Sequence, residues 1–190
     1  MDVFERIEDQ DTGYYAELFY DTDPESPREW SNIGTMVCAH KRYNLGDVHI
    51  SNSEDLEKFH SNLDELKNLI LPLYLYDHSG ITMSTKPFSC PWDSGQVGVI
   101  YVSHENIKKE WGELTPETLK KAEDCLKAEV DVYDEYITGQ VYGYRICNSD
   151  GEDLESLHGI FGRDHLEKEA KAELEHYVKN HSEPVFTSVR

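Results

Sequence analysis

The chain has 190 residues, of which 38 are Asp or Glu and 18 are Lys or Arg, for a formal net charge of −20. That length suits one domain with a real core, and an aromatic share of 11% with 12 Tyr argues against wholesale disorder. So negative a surface repels nucleic acid and anionic membrane, because contact would compress like charges without releasing counterions.

The four cysteines, Cys38, Cys90, Cys125 and Cys147, are widely spaced and form no CxxC pair. With no apolar signal region at the N-terminus and no apolar run near 18 residues, the sequence reads as a cytoplasmic protein with reduced thiols.

In chain order, residues 1–31 are crowded with acids and opposed only by Arg6 and Arg28. GYYAELFY reads as a strand with Tyr14, Ala16, Leu18 and Tyr20 on one face. DTDPESPRE after it is a loop, with Trp30 anchoring its far end. Met36–Ala39 form a short apolar run before the compact basic cluster His40-Lys41-Arg42. Asn44-Leu45-Gly46-Asp47 has the composition of a turn. Ser53 as N-cap opens a helix whose apolar stripe is Leu56, Phe59, Leu63, Leu66 and Ile70, stopped by Pro72.

The stretch 71–103 is poor in charge and holds three strand-like runs. LPLYLY and ITMST form a hairpin about Asp77-His78-Ser79-Gly80. QVGVIYV, apolar on both faces, reads as a central strand in which Gly98 marks close backbone approach or a bulge. Residues 104–113 form a short helix or turn. Thr115-Pro116 opens the longest helix, with Leu119, Ala122, Leu126, Val130, Tyr133 and Ile137 along its buried stripe and Gly139 past its end. VYGYRIC and LHGIF make a second hairpin. Asp164 and Glu167 suggest a capping box, and the last helix buries Leu166, Ala170, Leu174 and Tyr177. VFTSV reads as a final edge strand. With no regular βαβ alternation, the pattern predicts one α+β domain over 1–190, with 1–13 and 180–190 as flexible ends. Its mostly antiparallel central sheet would be flanked by about three amphipathic helices.

Chemical motifs are few. Cys90, His78 and Asp93 lie close enough in sequence to converge as nucleophile, base and orienting group, which makes a small hydrolase-like enzyme one reading. Cys90, however, sits between Ser89 and Pro91 and heads no helix, and a Cys-Pro-Trp corner suits packing equally well. The nine His show no HxxxH or HExxH spacing, and no Walker loop, GxGxxG, GxSxG or EF-hand loop is present, so the expectation is no metal and no cofactor.

The acids remain. Asp124, Asp131, Asp134 and Glu135 lie on the longest helix, where acids about a turn apart sit about 5–6 Å from one another, near the phosphate spacing of one DNA strand. Asp21, Asp23 and Glu25 form a second group. Such rows suit a partner whose Lys and Arg groove normally holds nucleic acid; the alternative is a merely solvated face.

Three passages, SPREWSNIGTMVCAHKRYNLGD (26–47), LYLYDHSGITMSTKPFSCPWDSGQVGVIYVS (73–103) and YDEYITGQVYGY (133–144), resemble an uncharacterised family of small acidic proteins encoded by phages, prophages and plasmids. The resemblance covers roughly residues 14–147 and carries over no catalytic residues. It implies a protein that helps a mobile element inside a host cell. The expected function is a non-enzymatic inhibitor of antirestriction or anti-CRISPR type, binding a basic host protein or nucleoprotein complex by DNA mimicry. A structural or assembly protein of the element is the remaining alternative.

Overall fold

The computed structural model describes residues 2–181, and these form an α+β fold with nine strands and four α-helices. They divide into two compact units. One comprises Met1–Glu25 with Gly139–Arg190, and the other, Ser26–Thr138, is inserted between those two segments. In place of one central sheet there are two, each with its own core.

The first unit holds β1 (Val3–Glu8), β2 (Tyr15–Tyr20), β8 (Val141–Cys147), β9 (Asp153–Phe161) and α4 (Arg163–His181), and its sheet is antiparallel in the order β1-β2-β8-β9. Ala16 and Leu18 of β2 and Tyr142, Tyr144 and Ile146 of β8 meet Leu166, Ala170 and Leu174 of α4 in one apolar cluster. The alternation read from GYYAELFY is therefore a real sheet face. The flexible end expected over 1–13 is instead strand β1, which gains a backbone ladder along β2 from Val3 to Glu8. The capping box at Asp164 is not formed as expected: Glu167 is held by Arg163 at 3.1 Å and by Lys171 at 3.5 Å. Of the flexible end expected over 180–190, positions 180 and 181 instead belong to α4, and 182–190, with the VFTSV strand, lie outside the described residues.

The second unit holds β3 (Thr35–Ala39), β4 (Val48–Ile50), α1 (Ser53–Asn62), β5 (Asn68–Asp77), β6 (Ile81–Ser84), β7 (Ser94–Ser103), α2 (His104–Trp111) and α3 (Pro116–Ile137). Its sheet has the order β4-β3-β7-β5-β6, antiparallel except for the β3–β4 pair. The central place of β7 follows from its two apolar faces. Ile100 and Val102 point into the core under Ala122, Leu126, Val130 and Tyr133 of α3, while Tyr101 on the other face meets Phe59 of α1. Gly98 is required by contact: a Cβ there would lie 2.1 Å from the Val37 carbonyl oxygen of β3.

Helix α1 departs from the sequence pattern. Its N-cap is Asn52, not Ser53, and the helix ends at Asn62, so Leu66 is left exposed and Ile70 belongs to β5. The apolar run around Leu69–Leu75 completes helical spacing by coincidence, but as a strand it gains a ladder with β7 from Asn68 to Tyr76. Pro72 lies inside that strand. It is tolerated because β6 flanks β5 only at Tyr74–Asp77, leaving Pro72 where no ladder donor is needed on that side. Trp30 is likewise no buried anchor, being 45% exposed.

The unit is fastened by Arg28, which follows Pro27 in a single 3₁₀ turn. Its guanidinium, 6% exposed, donates from Nε and Nη2 to Asp47 (2.9 and 2.7 Å), from Nη1 to Glu129 of α3 (3.0 Å) and from Nη2 to the Gly34 carbonyl (2.8 Å). The carboxylates are engaged in turn. Glu129 accepts the Ile33 and Gly34 amides, and Asp47 accepts the Met36 amide at 2.7 Å. Burial disfavours the charged guanidinium, but the hydrogen bonds and charges of Asp47 and Glu129 outweigh it and its pKa is raised. Arg28→Ala would strand two partly buried carboxylates and should cost about 3–5 kcal/mol in chemical denaturation. Arg28→Lys, unable to form the fork, should recover only part of that.

The cores also set a pH limit. Burial pushes the Cys38 thiol from 9.0 up to about 12, with the Asp47 charge adding to it, and burial with Glu173, Glu155 and Glu169 lifts Tyr144 from 10.0 to about 12. Both groups stay protonated in the folded chain above the pH at which the unfolded chain releases its protons. Their contribution is therefore complete below pH 9 and lost as pH rises toward 12. The unfolding free energy from urea titrations should fall across that range, by up to about 1.4 kcal/mol per pH unit for Cys38. In Cys38→Ala the decline from pH 9 should be shallower.

Candidate functional site

Three places in the second unit concentrate chemistry. The first is the turn region between β5 and β7. His78, Asp93 and Cys90 do converge there: Asp93 Oδ2 lies 3.3 Å from His78 Nδ1 and accepts from Cys90 Sγ at 3.6 Å. The order is thiol, carboxylate, imidazole. A cysteine nucleophile needs the imidazole against the thiol and the carboxylate behind it. Here the carboxylate stands between them, and the His78 side chain is 62% exposed. Ser94 Oγ donates to the Cys90 carbonyl, so the corner is tied as a turn.

The second place is the basic cluster. His40, Lys41 and Arg42 line a cleft of about 420 Å³ together with Ser51–Ser53 at the start of α1 and Asp77. Arg42 is ion-paired to Asp77. His40 Nδ1 accepts the Arg42 and Tyr43 amides, and its pKa is lowered, by burial first, despite Asp77 nearby. Asp77 offsets Arg42 and the His40 imidazole has its pKa lowered, so the cleft is only weakly cationic, through Lys41. Among the described residues no group of three or more His, Cys, Asp or Glu is placed to hold a metal ion. Among them, too, no helix is long and apolar enough to cross a membrane.

The third place is the outer side of α3. Thr115 caps it, with Pro116 in its first turn, and the buried stripe at Ala122, Leu126, Val130 and Tyr133 turns positions 124, 131 and 135 to the opposite side. The four acids expected to act together are not equivalent. Asp124 is 59% exposed and receives Lys120 at 2.8 Å. Asp131 is exposed, with its pKa raised by local desolvation and by Asp134 against the opposing pull of Lys86. Glu135 is half-buried. Asp134 belongs to the scaffold: it accepts Thr82 Oγ1 at 2.8 Å and the Met83 amide at 2.6 Å, fastening edge strand β6 to α3. Glu123 is likewise engaged, by Lys127 and Lys120.

The second group divides in the same way. Asp21, only 10% exposed, accepts the Gly159 amide at 3.0 Å and the Asp23 amide at 3.1 Å. Asp23 and Glu25 are exposed.

Beside the acid line on α3 runs a feature that sequence patterning missed. Cys125, Ala128 and Val132 form a stripe facing Pro27, Trp30 and Ile33 across a groove of about 330 Å³. Helical spacing (125, 128, 132) was available as a signal, but the second wall comes from a loop more than 90 residues away in sequence, so no local pattern marks it. Comparison with protein-family models, with curated proteins and with solved structures finds no match to this chain.

The division of roles is measurable. Asp134→Ala should destabilise the second unit by about 1–3 kcal/mol, since it leaves the Met83 amide without its acceptor. Asp124→Ala should stay within about 0.5 kcal/mol. Denaturation curves of the two variants distinguish them.

Proposed function

We propose that this protein is a non-enzymatic inhibitor, of the anti-defence kind carried by mobile elements, that binds a basic nucleic-acid-processing protein of the host. The observation carrying this reading is the line of carboxylates at Asp124, Asp131 and Glu135 on the solvent side of α3, on a chain of net charge −20. Asp131 and Glu135 lie in the last two turns, the final turn holds no basic residue, and the helix dipole adds negative potential there. A Lys- and Arg-lined surface gains electrostatic energy against such a line much as it does against phosphates.

Imitation of nucleic acid on this helix is short. Asp124 to Glu135 spans eleven residues, or about 16 Å along the axis, roughly the rise of five base pairs. Lys120 pairs with Asp124 of the line itself, and Lys127 pairs with Glu123 on the neighbouring face. The line therefore suits the engagement of one basic patch better than the replacement of a long duplex. The hydrolase-like reading gains proximity of Cys90, Asp93 and His78 but lacks the order that thiol activation needs.

The test is retention of host nucleic-acid-binding proteins on the immobilised protein from 50 to 500 mM salt, with duplex DNA as competitor. Wild-type protein should retain such a partner at low salt and release it to DNA. The combined Asp124→Asn, Asp131→Asn and Glu135→Gln variant, which spares Asp134, should bind more weakly and with a salt slope smaller by about 2–3. Unchanged affinity and slope in that variant would remove the proposal.

A further inference from the structure

Electrostatics alone gives a surface that any cation can approach, and the groove beside the acid line supplies what it lacks. Its walls are Pro27, Trp30 and Ile33 on one side and Cys125, Ala128 and Val132 on the other. At the base stands Glu129, both of whose oxygens are taken up by Arg28 and by the Ile33 and Gly34 amides. The groove therefore offers mostly hydrocarbon and an indole, with Ser31 and Asn32 as the polar part of its loop wall and the Asn32 Nδ2 already donating to the Pro27 and Trp30 carbonyls. At about 330 Å³ it lies at the small end of ligand clefts, sized for one large apolar side chain with the adjoining backbone.

Position on the helix decides what kind of molecule brings that side chain. At 100° per residue, Asp124, Asp131 and Glu135 run parallel to the Cys125–Ala128–Val132 stripe, one step further round α3. Glu29, on the opposite wall's 3₁₀ turn, is exposed. Lys121 is the opposing cation, a turn before Cys125, and the C-terminal half of the groove is flanked by carboxylates. A second copy of this chain, itself at −20, is disfavoured by repulsion.

We propose that this groove docks an amphipathic basic segment of a protein partner. A large apolar residue of that segment would seat against Trp30, and its Lys or Arg side chains, a turn away, would meet Asp131 and Glu135. This deepens the acidic-surface reading and rests on it. Acids supply attraction, and the groove supplies register and most of the discrimination between one basic protein and another.

Three synthetic helical peptides of equal length test it: one of Leu and Lys, one with every Leu replaced by Ser, and one with every Lys replaced by Glu. Calorimetry gives affinity, and alkylation of Cys125, located by mass spectrometry in a Cys90→Ser background, reports occupancy of the groove. The Leu–Lys peptide should bind about ten- to a hundredfold tighter than the Ser–Lys peptide, the gain expected for burying one Leu, and should protect Cys125. Ala128→Trp, at an exposed helix position, should erase that difference while leaving Ser–Lys binding in place. Equal affinity of the two basic peptides, or unprotected Cys125, overturns the groove inference and leaves the acidic-surface reading standing. Absence of binding by both basic peptides overturns both. Binding of the Leu–Glu peptide as tight as that of Leu–Lys shows an apolar site indifferent to charge and overturns the choice of a basic partner.

Discussion

Arg28 is the constraint on which the second unit depends. One guanidinium, 6% exposed, holds the loop before β3, the turn before β4 and the middle of α3 in a single arrangement. An ion pair so well enclosed survives because the fork matches Asp47 at two points and backbone amides satisfy the carboxylate oxygens left over. Without the backbone contacts, the same charges would be a net cost. The network also spends the polarity of Glu129, and so the groove above it is mostly apolar on a strongly acidic chain.

The same logic sorts the acids. Carboxylates that look alike in sequence divide into those that organise backbone and those that face water. Glu129, Asp47, Asp134 and Asp21 belong to the first kind, each accepting at least one backbone amide. Asp124 and Asp131 belong to the second. On α3 the division follows angle: Asp134 falls on the side facing β6, while Asp131, three residues earlier, falls on the solvent side. Net charge thus overstates the free field of this protein, and the interacting surface is smaller than composition suggests.

The 71–103 stretch carries the scaffold. β5, β6 and β7 form three neighbouring strands of the five-stranded sheet, and the Cys90 turn closes one end of it with Asp93 linked to both Cys90 and His78. The distinctive Cys-Pro-Trp corner leaves Trp92 91% exposed, so that aromatic packs no core. Asp77 serves the same sheet end by pairing with Arg42.

Sequence by itself determined the α+β class, the strands at GYYAELFY, QVGVIYV and VYGYRIC, and the long helix from Pro116 to Ile137 with its buried stripe. These are readable because period, capping residue and turn chemistry are local, and each agrees with the final packing. The division into two sheets was not readable, since Glu17 and Arg145 pair across 128 residues of chain, with the whole second unit between them. Nor was the end of α1 at Asn62, where helical spacing and strand pairing compete for the same apolar residues and a partner strand decides. Which acids are free, and where an apolar wall meets them, also belonged to tertiary structure. Hydrogen-bond partners such as Ile33 for Glu129 and Met83 for Asp134 are chosen by three-dimensional proximity, which a one-dimensional charge pattern does not encode.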